Sequence, residues 1–266
     1  MFYDFWLEGQ WLWNTPLLAG LICIAVLYGF LLLAFTQVKI YQKQPQLFFL
    51  SLVILYVTIG SPFAALSHLS FSLHMLQMSI LFFIIPPLFL LGIPASLLQQ
   101  FWTPPTFKGI SQLILSPLAA LYAFGALFLM YHLPVVLTLL SQHSFVHNGY
   151  LFGLFIMSFS MWRPMVRGLH RRYAFLSGLV LMPACFLFIL NAVIGGMNNP
   201  FPVQMIANLC ISPSDLSSIN ILPSPFNSRY DQIIAGILML GMHKFALFLT
   251  VHLGNKVQER EWGGSS

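Results

Sequence analysis

Apolar positions along the chain gather into seven long runs, separated by stretches that hold nearly all of the Pro, Asn and charged residues. The runs cover approximately 15–36, 47–66, 72–92, 111–133, 147–163, 173–195 and 231–252. At 1.5 Å of rise per residue, about 20 apolar residues cross the roughly 30 Å of hydrocarbon in a bilayer. Each run therefore predicts a membrane-spanning helix, and the fold class is all-α: a polytopic seven-transmembrane-helix bundle. Pro16, Pro45, Pro104, Pro105 and Pro134 stand near boundaries, where helices begin or stop. Pro86 and Pro87 fall inside the third run, where they remove two amide donors. That pair predicts a kink whose freed carbonyls must be satisfied by a neighbouring helix or by water. There is no fixed-period repeat or low-complexity tract, so residues 1–262 are expected to form a single membrane domain, with 263–266 as a tail.

Composition agrees with the pattern. The chain is 58% hydrophobic and 6% charged, with a mean hydropathy of +0.84, against roughly 25% charged residues in an ordinary soluble domain. So few charges cannot coat a globule in water, which excludes a soluble enzyme, a disordered chain and a nucleic-acid binder. The partner that the composition does imply is the lipid bilayer. Asp4 and Glu8 precede the first run with no Lys or Arg near them, unlike the basic start of a cleaved signal peptide, so that run is expected to stay in the mature protein. Cys23, Cys185 and Cys210 make no CxxC pair and read as free thiols.

The net charge of +5 is unevenly placed. Lys39, Lys43, Lys108, Arg163, Arg167, Arg171, Arg172, Lys256 and Arg260 fall in or beside one alternate set of loops, and only Arg229 falls in the other. Basic residues are retained on the cytoplasmic side, so the N-terminus is predicted outside and the C-terminus in the cytoplasm. Lys244 is left inside the last run, placed either to snorkel inward or to serve an intramembrane role.

Histidine is distributed just as unevenly. His68, His74, His132, His143 and His147 all map to the outer loops or the outer ends of the third, fourth and fifth runs. His170 and His252 sit at the inner boundary, and His243 lies within the seventh run. The one-sided cluster suggests a site. In HMLQM, His74 and Met78 are four apart and share one helical face. An imidazole with a thioether suits a soft metal, copper and especially Cu(I), although Met also serves as bundle packing. His143 and His147 form an HxxxH pair able to hold a metal through two rings, or to stand as solvated loop histidines. Asp231 opens the seventh run, where it either favours a helix N-terminus or orients a metal-bound imidazole. Met239 extends the same face inward, Gly236 allows close helix approach, and His243 is the inner candidate, as a metal acceptor or as a hydrogen-bonding residue.

These residues resemble the CtaG family of assembly factors for caa3-type cytochrome c oxidase, the Bacillus type of seven-helix membrane protein. The likeness runs over nearly the whole chain: Asp4, Phe5 and Trp6; His74 to Met78 with Pro86 and Pro87; His132 with Pro134; Trp162 with Pro164; and Asp231, Gln232 and Gly236. The resemblance implies a non-enzymatic protein of a bacterial plasma membrane that helps deliver copper to the CuB centre of the oxidase, with subunit I as its partner. A metal set of His74, Met78, His132, His143, His147 and Asp231 is expected, with His68, Met239 and His243 as secondary positions. A homo-oligomer is compatible with the chain. A copper transporter would use the same features. So would a haem-b electron carrier with His74 and His132 as axial ligands. No Glu lies between Glu8 and Glu259, so no HExxH motif supports an intramembrane metalloprotease.

Overall fold

The structure is a computed structural model that describes residues 13–67, 70–94, 96–97, 116–168, 171–194 and 228–263. Among the described residues every regular element is helical. α1 (Thr15–Phe35) opens on Asn14, whose side chain accepts from the Leu17 amide at 3.0 Å, with Pro16 in the first turn. α2 (Lys43–Gly60) begins earlier and ends earlier than the apolar run 47–66 predicts. Its stop has a local cause: Ser61 precedes Pro62 and is driven to extended backbone (φ −110°, ψ 172°), so the rest of the run restarts as the short α3 (Pro62–Leu66).

α4 (Phe71–Ser79), a π-helical turn (Ile80–Ile84) and α5 (Ile85–Gly92) stack into one span, Phe71–Gly92. This span is the centre of the molecule. Of its apolar window 78% is buried, against 17 to 39% for the other long apolar helices, so the rest pack around it and turn their outer faces to lipid. The double proline is accommodated as the sequence requires. The Phe82 carbonyl would meet Pro86 in an α-helical bond or Pro87 in a π-helical one, and neither has an N–H; Trp162 supplies its indole N–H instead, at 2.9 Å.

α6 (Pro117–Tyr131) covers the later part of the run 111–133, and positions 111–115 lie outside the described residues. α7 (Pro134–Gln142) is a correction, because it fills part of the stretch between the runs 111–133 and 147–163, where no helix is predicted. Leu133, ahead of Pro134, is again extended (ψ 133°), and α7 restarts at 81° to α6. α8 (Ser144–Val166) carries Pro164 within its last turn, and α9 (Arg171–Ile194) holds Pro183 without interruption. α10 (Ser228–Gly263) completes the set.

All seven predicted runs thus contain helix. Five helices are long and apolar enough to cross a membrane among the described residues, or six if the bent α6 and α7 pair is one span. α8 is not one of them, with His147, Asn148, Ser158, Ser160 and Arg163 along its length. α10 packs along α9 and α4, α2 packs on α5, and α8 packs on α6. Side-chain ties fix which ends meet. The Asn14 amide donates to Gly60 O at 2.9 Å, and the start of α4 is bonded to Asp231 at the start of α10. At the opposite end Tyr173 donates to Pro117 O, and Gly254 approaches Leu91. The described basic residues Lys39, Lys43, Arg163, Arg167, Arg171, Arg172 and Lys256 lie at that opposite end, and Arg229 lies at the first.

Candidate functional site

Three of the predicted histidines meet at the end where α4, α8 and α10 begin and α6 finishes. α4 is started by Ser70, whose hydroxyl accepts from the Leu73 amide at 3.1 Å, which places His74 in the first turn. α6 ends in Tyr131 and His132, and His147 stands in the first turn of α8. The three imidazoles surround one phenol. Ring centroids of His74, His132 and His147 lie 6.0, 5.0 and 5.8 Å from that of Tyr131.

The Tyr131 hydroxyl bridges His74 Nε2 at 3.2 Å and His147 Nε2 at 2.9 Å. A phenol has one proton, so it donates to one ring and accepts an N–H from the other, which couples the tautomers of two histidines 73 positions apart. Sequence reasoning missed Tyr131. A tyrosine inside an apolar run reads as filler, and the available signal was its position beside His132 at a helix end.

His132 is prepared differently. It is 1% exposed, and its Nδ1 donates to the Phe128 carbonyl one turn back at 2.6 Å. That bond fixes the proton on Nδ1 and leaves a lone pair on Nε2. Nε2 is buried and has no hydrogen-bond partner among the described residues. The edge-on rings of Phe128 and Phe188, at 4.5 and 5.3 Å, hold the imidazole in place. This is the arrangement by which proteins orient a metal-binding imidazole, with one nitrogen tied to a carbonyl and the other presented.

Asp231 is engaged by the start of α4. Its Oδ2 accepts the Phe71 amide at 2.6 Å, and its Oδ1 accepts the Ser72 amide at 3.0 Å and the Ser72 hydroxyl. The buried carboxylate thus caps α4 from a different helix, satisfying first-turn amides and opposing the positive end of the helix dipole. Gln77, on the same helix, donates to Thr58 O at 2.9 Å and accepts from Ser67 at 2.7 Å, which fixes α4 to α2.

The remaining candidates are spread out. Met78 and Met239 are buried in the main core with Met75. His143 is exposed where α7 meets α8, and its carbonyl accepts the His147 amide at 2.9 Å. His68 lies outside the described residues. His243 is buried against Phe83 and Trp162, away from this end. Among the described residues, no group of three or more His, Cys, Asp or Glu side chains is placed to hold a metal ion.

A family model described as cytochrome c oxidase caa3 assembly factor matches residues 26–253. No curated protein and no solved structure matches the chain.

Proposed function

The chain belongs to the cytochrome c oxidase caa3 assembly factor family, and on that premise we propose that it binds Cu(I) at its histidine end and assists transfer of the ion to the CuB centre of the oxidase. It is a multi-pass membrane protein, consistent with a place in the bacterial plasma membrane, and an assembly role implies association with the oxidase and with lipid. The finer reading has seven spans, the histidine end outside, and oxidase subunit I as the recipient. The collection of basic residues at the opposite end supports that orientation.

One observation carries the copper reading: a buried imidazole, His132, with its Nδ1 proton pinned and its Nε2 lone pair unmet among the described residues. Charge then selects the ion. Among the described residues the carboxylate at this end is Asp231, already engaged by three donors, so the candidate ligands His74, His132 and His147 are neutral. Burying a divalent cation among neutral groups incurs about fourfold the desolvation cost of a monovalent one, by the square of the charge. Imidazole and thioether ligands add a preference for soft Cu(I). Transfer also needs few, exchangeable ligands, since a closed four-ligand cage holds its ion against any recipient. His74 and His147 fit that need, because ligation through Nε2 must first displace the Tyr131 hydroxyl, a contact that re-forms when the ion leaves.

Two experiments test this. Cu(I) is titrated into purified protein and into the His74→Ala and His132→Ala variants; unchanged binding in both removes the proposed site. Separately, the gene is deleted and the membranes are assayed for oxidase activity and spectrum, with and without added copper. Full activity without the protein refutes the assembly role in this organism, and rescue by copper supports the cargo.

A further inference from the structure

His243 makes no hydrogen bond among the described residues through either ring nitrogen. It stands near the midpoint of the Arg229–Val257 span and is 2% exposed. Phe83 meets it edge-on at 5.3 Å and 75°, and Trp162 lies at 6.1 Å. The indole N–H of Trp162 is already given to the Phe82 carbonyl. A neutral imidazole carries one donor and one acceptor, and leaving both unmade in a membrane interior costs several kcal/mol. An apolar ring of similar size would pack there without that cost, so the position calls for a ligand.

Its surroundings define which ligand. Met239 lies four residues earlier on the same helical face and is equally buried. On the facing central span, Met75 and Met78 belong to the same core, and the buried Ser79 hydroxyl, four residues before Phe83, also lacks a partner among the described residues. None of these groups is anionic. Neutral nitrogen and sulfur donors select a soft monovalent cation, Cu(I) or Ag(I), over a hard or divalent one. Twelve residues separate His243 from Asp231, which puts the imidazole about 18 Å below the histidine end at 1.5 Å per residue.

We propose that His243 and Met239 form a second Cu(I) site at mid-membrane depth, facing the π-helical turn of the central span. It rests on the copper reading for the identity of its cargo, and its ligands are separate from those at the histidine end. An ion bound at the rim would step inward to it along the α4 and α10 seam, past Met75 and Met78, and be held at a depth where a membrane-embedded acceptor meets it laterally.

The test titrates Cu(I) against a chromophoric chelator with the full chain in lipid nanodiscs. Wild type, His243→Phe, Met239→Leu and His132→Ala combined with His74→Ala are compared, and thermal melting serves as a check on folding. The expected result is two ions in wild type, one in His243→Phe, and a second ion weakened at least tenfold in Met239→Leu. A single wild-type ion that is unaffected by His243→Phe and Met239→Leu but lost in the double variant overturns the inner site and leaves the outer one standing. A single ion lost in His243→Phe and retained in the double variant does the reverse. No bound ion in wild type overturns both. If His243→Phe melts early, Met239→Leu, which keeps volume and apolarity, decides the matter: a second ion held as tightly as in wild type overturns the inner site.

Discussion

The indole N–H of Trp162 donates to the Phe82 carbonyl at 2.9 Å, at the point where the central helix has no amide of its own to offer. Pro86 and Pro87 create the need, and a residue 80 positions away on α8 meets it. Trp162→Phe leaves that carbonyl unsatisfied in the membrane interior and opens a cavity beside it. The expected loss is about 1–3 kcal/mol for the carbonyl alone, read as a lowered unfolding midpoint in detergent. Trp13→Phe, at an exposed position at the edge of α1, should stay within about 0.5 kcal/mol of wild type. Equal stability in the two variants would mean that the Phe82 carbonyl is satisfied by another route.

Asp231 separates a positioning role from a ligand role. Asp231→Asn keeps the shape, but its amide nitrogen must face an N–H of Phe71 or Ser72, so one first-turn donor of α4 loses its acceptor. We expect a loss of about 1.5–3 kcal/mol, the range for hydrogen bonds to a charged group, with the number of bound Cu(I) ions unchanged. Loss of an ion at unchanged stability would make the carboxylate a ligand.

The sequence made the helices legible because bilayer thickness sets their length, and 15–36, 72–92 and 173–195 fall close to the observed elements, whereas α10 runs eleven residues beyond the predicted end at 252, past the apolar stretch. The proline rule forecast the rescue of a freed carbonyl without naming Trp162. The same rule placed a boundary at Pro134, where Leu133 leaves the helix, and had the information to place another at Ser61, where apolar continuity hid it; that the chain resumes after Leu133 as α7 was not foreseen. The site was legible as an inventory of imidazoles at one end. The links among them were not, because each depends on contacts distant in sequence: Tyr131 with His74 across 57 positions, and Asp231 with Phe71 across 160. Asp231 opening a helix looked like a cap for its own helix, and it caps another.

Tyr131→Phe removes one oxygen and keeps the ring. His74 and His147 then lose a shared partner, so their imidazole 15N shifts should change together while those of His132, tied to Phe128, stay in place. Releasing the hydroxyl spares an incoming ion a contact of about 1 kcal/mol, so the histidine end should bind Cu(I) about fivefold more tightly. Weaker binding would instead make the phenol oxygen a ligand.

Gly236 and Gly241 lie on the same helix and should respond to alanine with opposite signs. A Cβ on Gly236 would stand 2.7 Å from the Cys185 carbonyl oxygen and 3.1 Å from Ile189 Cγ1, so α9 must move away from α10. Backbone cannot yield as a flexible side chain does, and overpacking of this kind costs about 1–3 kcal/mol. At Gly241 nothing lies within 4 Å of the added atom. There, alanine gains the helix preference of up to about 1 kcal/mol seen in soluble helices. Gly236→Ala should lower the unfolding midpoint and Gly241→Ala should hold or raise it. Because Met239 and His243 ride on the same helix, the displaced α10 of Gly236→Ala should also lose affinity at the mid-membrane position while the histidine end binds as before. A stable Gly236→Ala protein would mean that the α9 and α10 contact is looser than a 2.7 Å approach requires.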